Sequence, residues 1–168
     1  ENTDGVIDNT SINLKKLHLE FGKNPIDARL LVENLRDYRM DGKLKARLDL
    51  GSLGSFIPME GLTLKGSFGI DAAAKGIYDS VRQLIPAVNA ELKLSNGFIR
   101  KFDVPVAAEQ IEAELVVNDQ SGKMEDLKIE LTKLKMKLGQ DALQAKMLVR
   151  NMNDYTWNIS VNGGVDLG

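Results

Sequence analysis

The chain repeats itself. The stretch Leu31-Val32-Glu33-Asn34-Leu35-Arg36-Asp37-Tyr38 returns as Leu148-Val149-Arg150-Asn151-Met152-Asn153-Asp154-Tyr155, 117 residues later and without a gap. Carried outward in that register, residues 5–51 lie over residues 122–168, and 15 of the 47 positions are identical. Unrelated segments would agree at roughly one position in fifteen to twenty. A repeat of this kind limits the architecture before any residue is read for chemistry, because both copies must fold alike. The two copies occupy the two ends of a 168-residue chain, a length that suits one domain. The sequence begins at Glu1 without a Met and stops at Gly168, the counterpart of Gly51, after which the first copy simply continues. The expectation is a fragment of a longer chain.

Within the copies the dominant period is two. In residues 40–50, Met40, Gly42, Leu44, Ala46, Leu48 and Leu50 fall on one side and Asp41, Lys43, Lys45, Arg47 and Asp49 on the other. Successive side chains of a strand point to opposite faces, so this is a half-buried strand. Its counterpart sets Trp157, Ile159, Val161, Gly163, Val165 and Leu167 against Asn158, Ser160, Asn162 and Asp166. Residues 62–74 set Leu62, Leu64, Gly66, Phe68, Ile70, Ala72 and Ala74 opposite Thr63, Lys65, Ser67 and Asp71. Shorter runs follow the same rule at residues 26–32, 90–94, 111–117, 127–131 and 143–149. The strand that opens each copy changes phase, from Ile12 and Leu14 to Leu17, Leu19 and Phe21, and from Ile129 and Leu131 to Leu134, Met136 and Leu138. One extra residue at Lys15-Lys16 and at Thr132-Lys133 predicts a β-bulge, which bends a strand and raises its twist.

Clusters of Gly, Pro, Asn, Asp and Ser at residues 22–25, 33–37, 95–97, 118–122, 139–141 and 150–154 predict turns. Loops this short make neighbouring strands antiparallel. Asn34 with Asp37, and Asn151 with Asp154, read as side chains that bond to their own turn backbone. One segment departs from the pattern. Ile77, Val81, Leu84 and Ile85 recur at helical spacing, with Gly76 or Asp79 to start and Pro86 to stop, so a short helix is expected near 77–85, lying over apolar sheet. The sum is mainly β: roughly ten long antiparallel strands in a strongly curved β-sheet, with one short α-helix.

Little here is chemistry. Lys and Arg number 22 against 24 Asp and Glu, with the signs interspersed, unlike a nucleic-acid-binding face. Zero cysteines exclude thiolate metal sites and a Cys nucleophile, and the one histidine, His18, stands between Lys16 and Glu20 on the polar side of its strand. A catalytic base needs an orienting partner in a cleft, and a metal site needs more than one such ligand. The glycines form no phosphate loop; Gly66 and Gly69 read as sites of twist or close packing. Glu109, Glu112 and Glu114 are spaced as the polar side of a strand. No catalytic residue, metal or cofactor is assigned, and the expectation is that the chain is not an enzyme. The apolar face is the candidate site, either paired into a dry core or left as an aliphatic trough that hydrocarbon chains can occupy.

The runs at residues 12–32, 40–53 and 66–76, with the later Leu94-Ser95-Asn96-Gly97 and the second copy, resemble the C-terminal region of AsmA-like proteins. That family is similar to TamB and to the bridge-like lipid-transfer proteins of eukaryotes, the repeating β-groove proteins. The resemblance implies a periplasmic location, anchoring to the inner membrane through a segment not present in this chain, and a part in outer-membrane biogenesis. It implies phospholipid or another acyl-chain lipid as the partner, with envelope proteins as further partners and no nucleic acid. The expected lipid-facing side chains are Leu44, Leu48, Leu50, Leu64, Phe68, Ile70, Leu92, Leu115, Ile129, Met147, Trp157, Ile159 and Val161. The alternative is a closed β scaffold, a chaperone-like module for outer-membrane protein assembly that binds no lipid.

Overall fold

The structure, a computed structural model, describes residues 2, 5–35, 38–55 and 58–164. The alternating runs form β1 (Ile12–Phe21), β2 (Asn24–Glu33), β3 (Arg39–Asp49), β4 (Leu62–Ile77), β5 (Ala87–Lys101), β6 (Ala108–Asp119), β7 (Lys128–Leu138), β8 (Asp141–Arg150) and β9 (Thr156–Gly163). Every strand pairs antiparallel with its neighbour in sequence, so the nine strands lie in one sheet in chain order. Most of the connections are too short for a parallel crossover; the longest, residues 50–61 with a short helix, also returns the chain antiparallel. The sheet is curved and does not close. β4 has 16 residues and β5 has 15; at the usual rise a strand of that length spans about 50 Å.

The second copy reproduces the backbone of the first. β2 and β8 correspond residue for residue under the 117-residue shift. The register of β1 on β2 slips between Leu14 and Leu17, and that of β7 on β8 between Leu131 and Leu134, at the two predicted bulges. Left-handed residues recur in register: Gly22 and Gly139 at φ 65° and 62°, Asn34 and Asn151 at 56° and 53°, Tyr38 and Tyr155 at 42° and 49°. Asn tolerates this region because its short polar side chain bonds locally. At Asn151 the side-chain oxygen accepts from the Asn153 N–H at 3.1 Å, and its amide donates to Asp154 at 3.2 Å.

Three expectations are corrected. The one α-helix among the described residues is α1 (Leu50–Leu53), not a helix at 77–85. In residues 78–86, Asp79 and Leu84 exchange backbone hydrogen bonds of 3.0 and 2.9 Å, and the Asp79 carboxylate accepts from the Val81 and Arg82 N–H groups. Gln83 then turns left-handed, at φ 55°, which ends any helical continuation. Val81, expected to pack down onto the sheet, is 91% exposed. Residues 95–97 are not a turn either. There the register of β5 on β6 slips between Leu94 and Gly97 with Asn96 at φ 51°, so turn-type residues make a bulge inside one continuous strand. The described residues hold nine strands, where roughly ten were expected. Finally, β3 stops at Asp49, whose carboxylate caps α1 by accepting from the Gly51 N–H at 3.0 Å. Arg36, Asp37, Val165, Asp166, Leu167 and Gly168 lie outside the described residues.

The sheet is a single layer. Among the described residues only Ala46, Ala90, Ile111 and Val149 are buried hydrophobics, and the accessible surface is 11737 Å². A compact monomer of this mass would expose about 8,200 Å². The two-layer scaffold with a sealed core is therefore not the arrangement found.

Among the described residues one polar side chain is fully buried, and it ties a corner. Asn24 is 0% exposed. Its amide donates to the Phe21 carbonyl at 2.8 Å and to Ser52 Oγ at 2.7 Å, and its oxygen accepts from the Asp49 N–H. It thereby joins the first hairpin to the place where β3 gives way to α1. Asn24→Ala leaves a buried N–H and a buried carbonyl unpaired, and it should cost about 2–4 kcal/mol. Thermal melting should show a fall of roughly 5–15 °C; an unchanged melting temperature would mean that water replaces the side chain without loss.

Candidate functional site

Because each strand pairs only with its neighbour, the apolar side of one continues into the next. Leu17, Ala28, Leu44, Ala72, Ala90, Val117, Ile129, Val149 and Trp157 stand opposite one another in turn across all nine strands. A second row reads Leu19, Ile26, Ala46, Ile70, Leu92, Leu115, Leu131, Met147 and Ile159. A third crosses seven strands as Leu48, Phe68, Leu94, Ala113, Leu134, Ala145 and Val161. Directly opposed side chains lie on the same face, about 4.5–5.5 Å apart. Each row is thus one apolar band with no polar interruption.

The bulges maintain these bands. β1 changes phase at Lys15-Lys16, yet Ile12 and Leu14 still oppose Val32 and Leu30, on the same side of β2 as Ala28 and Ile26. Without the extra residue one half of the strand would turn its leucines to the charged face. β7 does the same at Thr132-Lys133.

The opposite face is ionic. Lys45 meets Asp71 at 3.0 Å, Lys93 meets Glu114 at 3.1 Å, Arg29 meets Asp41 at 2.8 Å, and Lys133 lies 3.5 Å from Glu112. Exposed pairs of this kind contribute at most about 1 kcal/mol each, so they mark a wetted surface rather than hold the sheet together. Leu31, Val116 and Leu148 interrupt it, opposite Asp41, Glu130 and Asn158. The Glu112 carboxyl is held below its usual range, first by the hydrogen bond it accepts from the Asn96 N–H at 2.8 Å, against the opposing effect of burial, and then by Lys133. His18 Nδ1 lies 2.7 Å from Asp27 Oδ1 on this face, with both side chains about half exposed. No group of three His, Asp or Glu side chains that could hold a metal gathers among the described residues.

Most of the expected lipid-facing residues come together. Leu44, Ile129 and Trp157 share the first row; Ile70, Leu92, Leu115, Met147 and Ile159 share the second; Leu48, Phe68 and Val161 share the third. Leu64 lies beyond the β4–β5 bulge, opposite Ile99. Leu50 does not belong with them, because the strand it was expected to end has already turned into α1. At the β9 edge the face is open: Trp157, Ile159 and Val161 are 57%, 57% and 62% exposed. Leu17, Leu19, Leu94, Leu131 and Leu134, with Ile26, Val117, Val149 and six alanines, complete the rows and were not among the expected lipid-facing residues. The signal that finds them is parity corrected for the bulge, which carries Leu14 onto Leu131 and Leu17 onto Leu134 through the repeat.

Among the described residues no helix is long and apolar enough to cross a membrane. No protein-family model matches the chain, and neither a curated protein nor a solved structure does.

Proposed function

We propose that the chain is a periplasmic segment of an AsmA-like protein, and that the apolar face of its sheet holds phospholipid acyl chains and conducts them between the inner and outer membranes. The observation that carries this reading is the pair of nine-residue apolar rows on a face over which the described residues place no second layer. Most of the two rows is half-buried, with Ala46, Ala90 and Val149 buried among their neighbours and Leu19, Leu44, Trp157 and Ile159 exposed; partly open apolar surface continued across nine strands marks a binding site or an aggregation hazard. Its chemistry favours hydrocarbon. The rows are aliphatic, with Phe68 and Trp157 the aromatic exceptions, whereas protein interfaces are enriched in Tyr, Trp and Arg. An acyl chain asks only for dispersion contact and exclusion of water.

The dimensions agree. Nine strands at their usual separation make a row about 38 Å long, longer than the hydrocarbon core of a bilayer at about 30 Å. One row thus accommodates the tails of both leaflets end to end. The repeat gives a way to lengthen such a path by addition, and anchoring to the inner membrane falls to a segment outside this sequence. The test is organic extraction and mass spectrometry of the purified chain, with titration of a fluorescent long-chain fatty acid. Co-purifying phospholipid and saturable binding are expected. A lipid-free chain that neither binds the probe nor exposes the face, because copies seal it against each other, would overturn the reading.

A further inference from the structure

Among the described residues the most exposed aromatic is the first residue of the β5–β6 connection. Phe102 is 91% exposed, and Val104 and Val106 after it are 43% and 45% exposed. Val81 is as open as Phe102, but its neighbours Ser80, Arg82 and Gln83 are polar. The backbone beneath Phe102 is fixed. Its N–H donates to the Gly61 carbonyl at 2.8 Å, the Val104 N–H donates to the Lys101 carbonyl at 3.1 Å, and Lys101 Nζ donates to Asp103 at 2.8 Å. The tip is thus preformed, and the ring it carries projects into solvent.

Behind the tip the apolar face continues. Leu64 opposes Ile99, Ile99 opposes Ala108 and Ala108 opposes Leu138, which makes a fourth row across β4–β7. Leu138 shares the face of Leu134 by the period of β7, whose bulge lies before both. Ile99 and Leu138 are each 42% exposed. At its other end β6 stops on Asp119, which is buried and accepts from the Ser121 and Gly122 N–H groups. Along β6 the face therefore runs from a polar end to an apolar one. Beneath the Phe102 ring lies a hollow of about 460 Å³ lined by Met59, Gly61, Leu62, Thr63, Arg100 and Phe102. Arg100 is the one charged side chain in that lining, and it pairs with no carboxylate among the described residues.

We infer that the β5–β6 connection is a membrane prong: Phe102 and Val104 enter the boundary between headgroups and acyl chains of a phospholipid bilayer, and Arg100 takes a lipid phosphate in the hollow behind them. A hydrocarbon layer covers an isolated apolar tip without asking for a matching shape, and insertion to about 5–10 Å is the usual depth for such contacts. A planar guanidinium suits phosphate oxygens. The strands then stand upright on the bilayer, so that Ile99 and Leu138 meet acyl chains first and the rows beyond receive them. The inference deepens the acyl-chain reading and rests on it for that last step; insertion of the tip is measured without it.

The test places Phe102→Trp in a chain that also carries Trp157→Phe, so that the new indole is the only one. The whole chain is mixed with vesicles of phosphatidylcholine and phosphatidylglycerol in equal parts. A blue shift of the indole emission is expected, with quenching by lipids brominated near the start of the acyl chain. Phe102→Ser, at an exposed position, should weaken vesicle binding in a flotation assay by about tenfold or more. Val104→Ser should act in the same direction if Phe102→Ser alters the far-UV circular dichroism. Arg100→Gln should weaken binding by about fivefold. An indole that stays in water beside vesicles would overturn the proposal. So would vesicle binding unaltered in both serine variants, or a tip already covered by a second copy of the chain, read as a sedimenting mass that falls with Phe102→Ser. A parent chain that binds fatty acid in solution and ignores vesicles would overturn this inference and leave the acyl-chain reading standing. Vesicle binding through the tip without fatty-acid binding would uphold the prong and overturn that reading.

Discussion

Leu115→Asp, in the middle of the second apolar row, is expected to lower the affinity for a fluorescent long-chain fatty acid by about tenfold or more while the sheet stays folded. Leu115 opposes Leu92 on one side and Leu131 on the other. A hydrocarbon chain laid along the row must cross it. The substitution removes about 2 kcal/mol of apolar contact and puts a carboxylate where the bound chain would strip its water, and each 1.4 kcal/mol is tenfold in affinity. The fold tolerates the change because Leu115 is only half-buried, so the carboxylate keeps its hydration while the face is empty. In a sealed core the same change would bury an unpaired charge and unfold the domain. Far-UV circular dichroism and urea titration separate the two outcomes. Leu115→Met should bind normally, and Glu114→Gln, one residue away on the charged face, should leave acyl binding unchanged. Unfolding would mean that something covers the face; unaltered binding would place the acyl chain elsewhere.

What the sequence could reveal was what alternation and repetition encode. Period two in residues 40–49 fixed which side of β3 is apolar, and the matched phase slips at Lys15-Lys16 and Thr132-Lys133 located both bulges. Register was not legible, because it depends on the length and chemistry of every turn between strands. That Leu92 stands between Ile70 and Leu115 follows from pairings across two loops, and no local pattern states it. Two local signals were true but misassigned. Asp79 does accept the N–H groups that begin a helix, yet the chain leaves the helical region at Gln83 within a turn. Ser95-Asn96-Gly97 does carry turn chemistry, used to kink a strand rather than to reverse it. Leu50 kept the parity of β3 and still left the sheet, because Asn24, distant in sequence, takes the Asp49 N–H. A tertiary contact of that kind overrides a local period.

Gly66→Ala should cost about 3–5 kcal/mol and lower the melting temperature by roughly 6–20 °C. Gly66 lies at φ +120°, where side chains are strained, and a Cβ there would meet the Gly97 Cα at 2.8 Å, the Ser95 carbonyl oxygen at 2.9 Å and the Asn96 carbonyl oxygen at 3.0 Å. All three contacts are backbone atoms, so no rotamer change relieves them. Gly97→Ala meets the Ile111 Cβ at 2.8 Å and the Leu94 Cδ2 at 3.0 Å; without the left-handed strain it should cost less, about 1–3 kcal/mol. Gly69→Ala is the contrast. The nearest atom to its Cβ is the Ala46 carbonyl oxygen at 4.0 Å, so its effect should stay within about 1 kcal/mol. The ordering follows from where β4 and β5 cross. The β4–β5 register slips between Lys65 and Ser67, and the two strands come close enough there that only hydrogen fits between Gly66 and Gly97. Urea titration of the three variants would test the ordering, and equal losses at Gly66 and Gly69 would show that the close approach is not what requires glycine. Hydrogen exchange should quicken first in the pairing of residues 62–65 with 98–101, beyond the bulge. The apolar rows, which lie on the other side of it, should keep their protection until global unfolding.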